Sequence, residues 1–150
     1  MSANSWMFRQ NDYTLWPFWT DRLFRNNNFL PGQVNCYPEV PLILFILKSN
    51  GFLLGIASRI SCIQQAVQLI FHFGWQGYFD YVEVHPGNKK SHFIDIHFKS
   101  GIPYRDMLFF DDDVRNIREV SQLGVACFHV SNGMSLIKLH QGLAIFNATP

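Results

Sequence analysis

The sequence is short of charge, of cysteine and of long apolar runs, and each shortage excludes a class of protein. Only 15% of its 150 residues are Asp, Glu, Lys or Arg, with 12 basic and 11 acidic side chains and a formal net charge of +1. No basic field exists to draw the chain onto nucleic acid or an anionic membrane, so neither is an expected partner and a charged ligand must be held by a local site. The three cysteines, Cys36, Cys62 and Cys127, form no CxxC pair and have no spaced His ligands nearby. They indicate neither a disulfide framework nor a zinc site, and read as small buried hydrophobes in a reducing compartment. The longest apolar stretches, 41–47 and 52–57, fall far below the roughly 18 residues that would span a bilayer. The opening residues MSANSWMFRQND have no apolar core of the kind a signal peptide needs. A soluble, cytoplasmic protein is the expectation.

What the sequence does contain is core material. Hydrophobic residues make up 48% and aromatic residues 16%, which excludes intrinsic disorder. At this length roughly 70% of the unfolded chain's surface can be buried, enough for one domain spanning residues 1–150 without staples. The segment from Pro38 to Ser49 is apolar on much of its circumference and stops at Ser49-Asn50-Gly51, which reads as a buried helix. Phe52 to Ala57 is a continuous apolar run that suits a strand covered on both faces. From there the pattern alternates. Helices are expected over 62–71, 89–99, 114–122 and 135–146, and strands over 81–84, 107–110 and 125–130, with Asp113 as an N-cap. Such alternation predicts a doubly wound α/β fold with a mainly parallel sheet, whose ligand sits at the carboxyl ends of the strands.

Those carboxyl ends are where the chemistry-bearing residues fall. The strand at 52–57 runs into Ser58-Arg59, and the strand at 107–110 runs into Asp111-Asp112-Asp113. Three consecutive carboxylates repel one another unless a cation or a helix N-terminus compensates, and such oxygen-rich sites suit a hard cation, Mg2+ foremost. The plain alternative is a helix cap with a solvated acidic turn. The turn His85-Pro86-Gly87-Asn88-Lys89-Lys90 delivers a lysine to the start of a helix, where its ammonium could neutralise a phosphate oxygen or simply be solvated. Near the N-terminus, Asp12 and Thr14 precede the aromatic run Trp16-Pro17-Phe18-Trp19, which reads as core, as a flap over a pocket, or as a partner-docking patch.

In that order, Asp12 and Thr14, Ser58-Arg59, Lys89 and Asp111-Asp112 resemble the four signature motifs of the haloacid dehalogenase (HAD) superfamily of phosphotransferases. Tyr13 to Trp19, Tyr37-Pro38-Glu39-Val40-Pro41, Ala57-Ser58-Arg59, Pro86 to Lys89, Phe109 to Asp112 and Arg115-Asn116-Ile117 narrow the resemblance. Together they are similar to the eukaryotic magnesium-dependent phosphatase family, over about residues 12–146. The resemblance implies a Rossmann-like three-layer α/β/α domain without a large cap, binding Mg2+ and hydrolysing phosphomonoesters through an aspartyl-phosphate. By matched position it implies Asp12 as acid and base and a carbonyl ligand of the metal. It implies Thr14, Ser58, Arg59 and Lys89 as phosphate or substrate contacts, with Lys89 also neutralising charge in catalysis. Asp112, with Asp111 as the alternative, would complete the metal shell. A monomer is expected, acting on a phosphorylated small molecule or a phosphotyrosine protein.

The departure from that pattern is at its centre. Two residues before Asp12, where the family carries its nucleophilic aspartate, stands Gln10. A carboxamide does not attack phosphorus as a carboxylate does, nor does it give a metal an anionic ligand, so little or no turnover is expected. The alternative is a non-catalytic phosphate-binding or partner-binding isoform of the same fold. The strand leading into this position is also atypical, because only Trp6-Met7-Phe8 is apolar and Arg9 interrupts it. A charged residue in a strand buried on both faces should cost stability.

Overall fold

In the computed structural model, the described residues are 5–9 (as backbone), 35–58 and 63–148. Apolar runs flanked by polar turns become strands that are dark to solvent on both sides. β2 (Leu53–Ser58) is buried from Leu54 to its end, and β4 (Met107–Asp111) is buried at every position. Burial of both faces is tolerated because parallel strands are covered by the helices that connect them. With β1 (Ser5–Arg9), β3 (Tyr81–Val84) and β5 (Ala126–His129) they form one sheet in the order β3-β2-β1-β4-β5. Every pairing is parallel.

Among the described residues the helices are α1 (Val40–Ser49), α2 (Ile63–His72), α3 (Lys89–Ser100), α4 (Val114–Ser121) and α5 (Leu136–Ala148), with a short 3-10 turn at Tyr104–Asp106. The period of two along each strand sorts them into two layers. Leu54 and Ile56 of β2 and Leu108 and Phe110 of β4 pack against Val40, Ile43, Leu44 and Leu47 of α1, Leu69 and Ile70 of α2, and Leu139 of α5. The alternate residues Ala57, Met107 and Phe109 face Phe93 and Ile96 of α3 and Val120 of α4. Each fully buried Leu, Ile or Phe contributes about 1.5–3 kcal/mol relative to exposure, and here they form two cores separated by one sheet. The expected doubly wound, three-layer α/β/α architecture is what the chain adopts.

Two local features follow from single residues. α1 begins at Val40, two residues later than Pro38, and carries Pro41 in its first turn, where a missing N–H leaves no helical bond unmade. Gly142 lets α5 lie directly on the sheet, since a Cβ there would stand 2.6 Å from the ring of Phe110. β1 forms despite its composition. It is paired from Ser5 to Phe8 with β4 and from Ser5 to Arg9 with β2, so Arg9 is its last residue, one step beyond the pairing with β4. Arg9 is thus the position at which the central strand has lost its pairing with β4.

Cys36 and Cys127 are free thiols, and both are only partly buried rather than core residues; Cys62 lies outside the described residues. Among the described residues no helix is long and apolar enough to cross a membrane.

Candidate active site

Because all five strands run the same way, their carboxyl ends meet along one edge of the sheet, and the expected residues collect there. Ser58 ends β2 and Asp111 ends β4, on either side of β1, and both are fully buried. Gln10 follows Arg9 directly but lies, like Asp12, Thr14, Arg59 and the aromatic run Trp16 to Trp19, outside the described residues.

Lys89 is placed by a chain of backbone constraints. Gly87 sits at φ +129°, a conformation closed to most side chains, and turns the chain after β3. Asn88 then caps α3 by accepting from the Ser91 amide at 2.8 Å, which makes Lys89 the first helical residue. The turn is tied to β2 by the His85 amide, which donates to the Ser58 carbonyl at 3.1 Å. Lys89 is fully buried, and its Nζ donates to the Ala57 carbonyl at 2.7 Å. The solvated surface lysine that the sequence alone left open is therefore excluded. Burying an ammonium is costly without oxygen partners, and this one is held one residue from Ser58.

At β4 the three carboxylates divide their roles. Asp113 is the N-cap of α4, accepting from the Arg115 amide at 2.8 Å and paired with the Arg115 guanidinium at 3.2 Å. Asp111 accepts from the Asp113 amide through Oδ1 at 2.9 Å, and its own carbonyl takes the Val130 amide at 2.8 Å, which holds the strand-to-helix turn. Asp112 is only half-buried, and its backbone carbonyl accepts from His129 Nε2 at 2.9 Å. Asp113 is thus the helix cap that the plain reading of the triplet expects, and Asp111 and Asp112 stand before it at the end of β4.

Three further residues in this region have no role assigned from the sequence. His92 is fully buried, with Nδ1 2.8 Å from the Asn88 carbonyl and Nε2 2.8 Å from the His85 carbonyl, so it clamps the turn that carries Lys89. Both contacts would favour a doubly protonated ring, but burial first and the Lys89 charge second hold its pKa down. We take the ring as neutral, because desolvation is the largest influence, and one carbonyl is then served at a time. His129 touches Asp112 from β5, a proximity set by the register of β4 with β5 and invisible in sequence. Asn116 is fully buried on the same face of α4 as Val120. Its signal was present: a polar residue four positions from an apolar one, on the inward stripe of an amphipathic helix.

The chain is similar to known proteins in sequence and in fold. The acid phosphatase family matches residues 10–149. Magnesium-dependent phosphatase 1 of Homo sapiens is 45% identical, over 90% of this chain and 82% of its own length. A HAD-like hydrolase superfamily protein of Schizosaccharomyces pombe is 37% identical, over 76% of this chain and 78% of its own. Among solved structures, a protein of Listeria monocytogenes superposes with a TM-score of 0.77 over 96% of this chain and 98% of its own, at 13% identity. A phosphatase structure from Clostridium difficile does so at 0.70, over 95% and 92%, at 14% identity. These two distant likenesses carry the fold alone. The family match begins at Gln10, so β1 is supplied by residues that lie before it. Matched over nearly its whole length, the chain belongs to the acid phosphatase family, within the HAD superfamily.

Proposed function

We propose that the chain is a Mg2+-dependent phosphatase of HAD type in which the phosphate pocket is retained and the covalent step is disabled. Its substrate class would be a phosphomonoester, either a phosphotyrosine on a protein or a phosphorylated small molecule of the sugar-phosphate kind. The observation that carries this reading is Lys89: a fully buried ammonium, 2.7 Å from the carbonyl of Ala57, the residue before Ser58 at the carboxyl end of a parallel strand. A cation held rigidly in a low-dielectric pocket is suited to a phosphoryl group, whose charge it neutralises without reorganisation.

Each residue then has a task. Ser58 and Thr14 donate to phosphate oxygens, Arg59 contacts the remainder of the substrate, and Lys89 offsets the charge that spreads over the equatorial oxygens. With a carboxylate restored at position 10, Asp12 would give a proton to the leaving oxygen and later take one from water. Asp112, together with the Asp12 carbonyl, would hold the metal ion. Asp111 is the less suitable ligand because its Oδ1 is engaged by the Asp113 amide. When bound, Mg2+ would supply charge neutralisation at the phosphoryl oxygens and alignment of the ester for in-line attack.

Gln10 removes the attacking carboxylate, so hydrolysis through an aspartyl-phosphate has no starting point. What remains is a pocket that binds phosphate and, more weakly than with a full anionic shell, Mg2+. The test is hydrolysis of an aryl phosphate with and without Mg2+ by the unmodified chain and by Gln10→Asp. At most trace turnover is expected from the first and a gain of orders of magnitude from the second. Rapid hydrolysis by the unmodified chain, with no gain from Gln10→Asp, would overturn the assignment of position 10.

A further inference from the structure

Behind the turn that carries Lys89, at the outer edge of the sheet, three ligand-type side chains converge. Glu83 lies on β3 and is nearly buried, His85 follows that strand, and Asp95 lies on α3. His85 Nε2 is 3.2 Å from Glu83 Oε2 and 3.3 Å from Asp95 Oδ2. One donor atom from each residue lies within 4.8 Å of the other two. β3 is the edge strand, so this cluster is open to solvent on one side.

The protonation of His85 makes the cluster informative. Its Nδ1 faces the Pro86 carbonyl at 3.2 Å, and a carbonyl only accepts, so the ring hydrogen is assigned to Nδ1. Nε2 then turns a lone pair toward two carboxylates. Nε2 is buried and makes no hydrogen bond: neither carboxylate is aligned to accept one, although both are close enough. A proton on Nε2 would therefore be poorly directed, whereas a cation seated among the three atoms would satisfy all of them.

We propose that Glu83, His85 and Asp95 form a second cation site of the zinc type, separate from the strand-end pocket. The spacings suit it. Zinc bonds to His nitrogen and carboxylate oxygen are about 2.0–2.2 Å, which in a tetrahedron separates neighbouring donors by about 3.3–3.6 Å. Both contacts of Nε2 have nearly that length. One imidazole with two carboxylates favours zinc over Mg2+, which prefers oxygen alone. Three protein ligands leave a fourth position for water.

The surroundings hold the donors in place as outer partners of a metal site do. Pro86 accepts the other ring nitrogen of His85, and the His92 ring stacks on it with centroids 4.2 Å apart and planes at 22°. Lys99 Nζ takes Glu83 Oε1 at 2.5 Å, which leaves Oε2 directed at the site. Because the His85 amide and carbonyl bond Ser58 and His92, a metal here would pin the turn that carries Lys89.

The experiment titrates Zn2+ into the full chain by calorimetry, in excess Mg2+ so that the strand-end carboxylates are occupied. One equivalent should bind, with affinity reduced at least tenfold in His85→Ala and in Asp95→Asn and unchanged in Asp112→Asn. Asp95 is about half exposed, so its variant keeps the test valid should His85→Ala fail to fold. Zn2+ should also raise the unfolding midpoint of the unmodified chain and not that of Asp95→Asn, and Co2+ should give the intense visible bands of a four-coordinate site. The proposal is overturned if no equivalent binds, if Asp95→Asn binds as tightly as the unmodified chain, or if Asp112→Asn is the variant that abolishes binding.

Discussion

Lys89 carries the functional reading, and its contribution separates charge from volume. Lys89→Met keeps the side chain's length and removes the ammonium. In a Gln10→Asp background, kcat/KM for an aryl phosphate should fall by about 10²–10³, the usual effect of deleting one preorganised electrostatic contact. A circular dichroism spectrum matching that of the parent would show that the loss is not one of folding. A fall of less than threefold would mean that the pocket does not use Lys89. Cys127 makes a different prediction. Burial first, and the nearby Asp111 charge second, push its thiol from 9.0 up to about 12. Since the folded pKa lies above the unfolded one, this thiol favours the native state below about pH 9, and the advantage is lost as pH rises toward 12. The slope should be about 1.4 kcal/mol per pH unit at most. Comparing urea midpoints of the unmodified chain and Cys127→Ala between pH 8 and 10.5 tests it: the difference between them should change with pH in that direction. In the native state Cys127 should also resist alkylation at pH 8, because the thiolate is the reactive form.

At the scale of elements, α5 and β1 are the informative pair. Gly142→Ala drives a Cβ to 2.6 Å from the ring of Phe110, which is fully buried. A loss of about 1–3 kcal/mol is expected, the usual cost of overpacking a core, read as a lowered denaturant midpoint with an unchanged slope. For β1, pairing on both sides predicts that the amides of Trp6, Met7 and Phe8 exchange only through global unfolding. Arg9 was expected to weaken the strand, and its place at the last, one-sided pairing reduces that expected cost. Fast exchange at Trp6 to Phe8 would instead show that the atypical composition prevails. The other elements were legible because their signals are local. Asp113 caps α4 as its position predicts, and the strand at 81–84 has the bounds its pattern predicts. The boundary errors elsewhere are of one or two residues, where Pro41 or a strand-end polar residue sits inside an element rather than ahead of it.

For the molecule as a whole, the parallel sheet brings separate sequence motifs to one edge. Ser58, Lys89 and Asp111 are distant along the chain, and only the strand order brings the ends of β2 and β4 to either side of β1. The same sheet has an outer edge, where Glu83 and His85 meet Asp95 across the turn. The sequence by itself determined the element order and the doubly wound class, because periodicity and capping residues are written in neighbouring residues, while the family was legible only as a resemblance of its motifs to known ones. It did not determine that Lys89 would be buried, that Asp111 would hold a turn while Asp112 stays half open, or that His85 would face two carboxylates. Burial and charge pairing depend on which elements pack together, and a residue's partners in a parallel sheet are set by register between strands that are far apart in the chain.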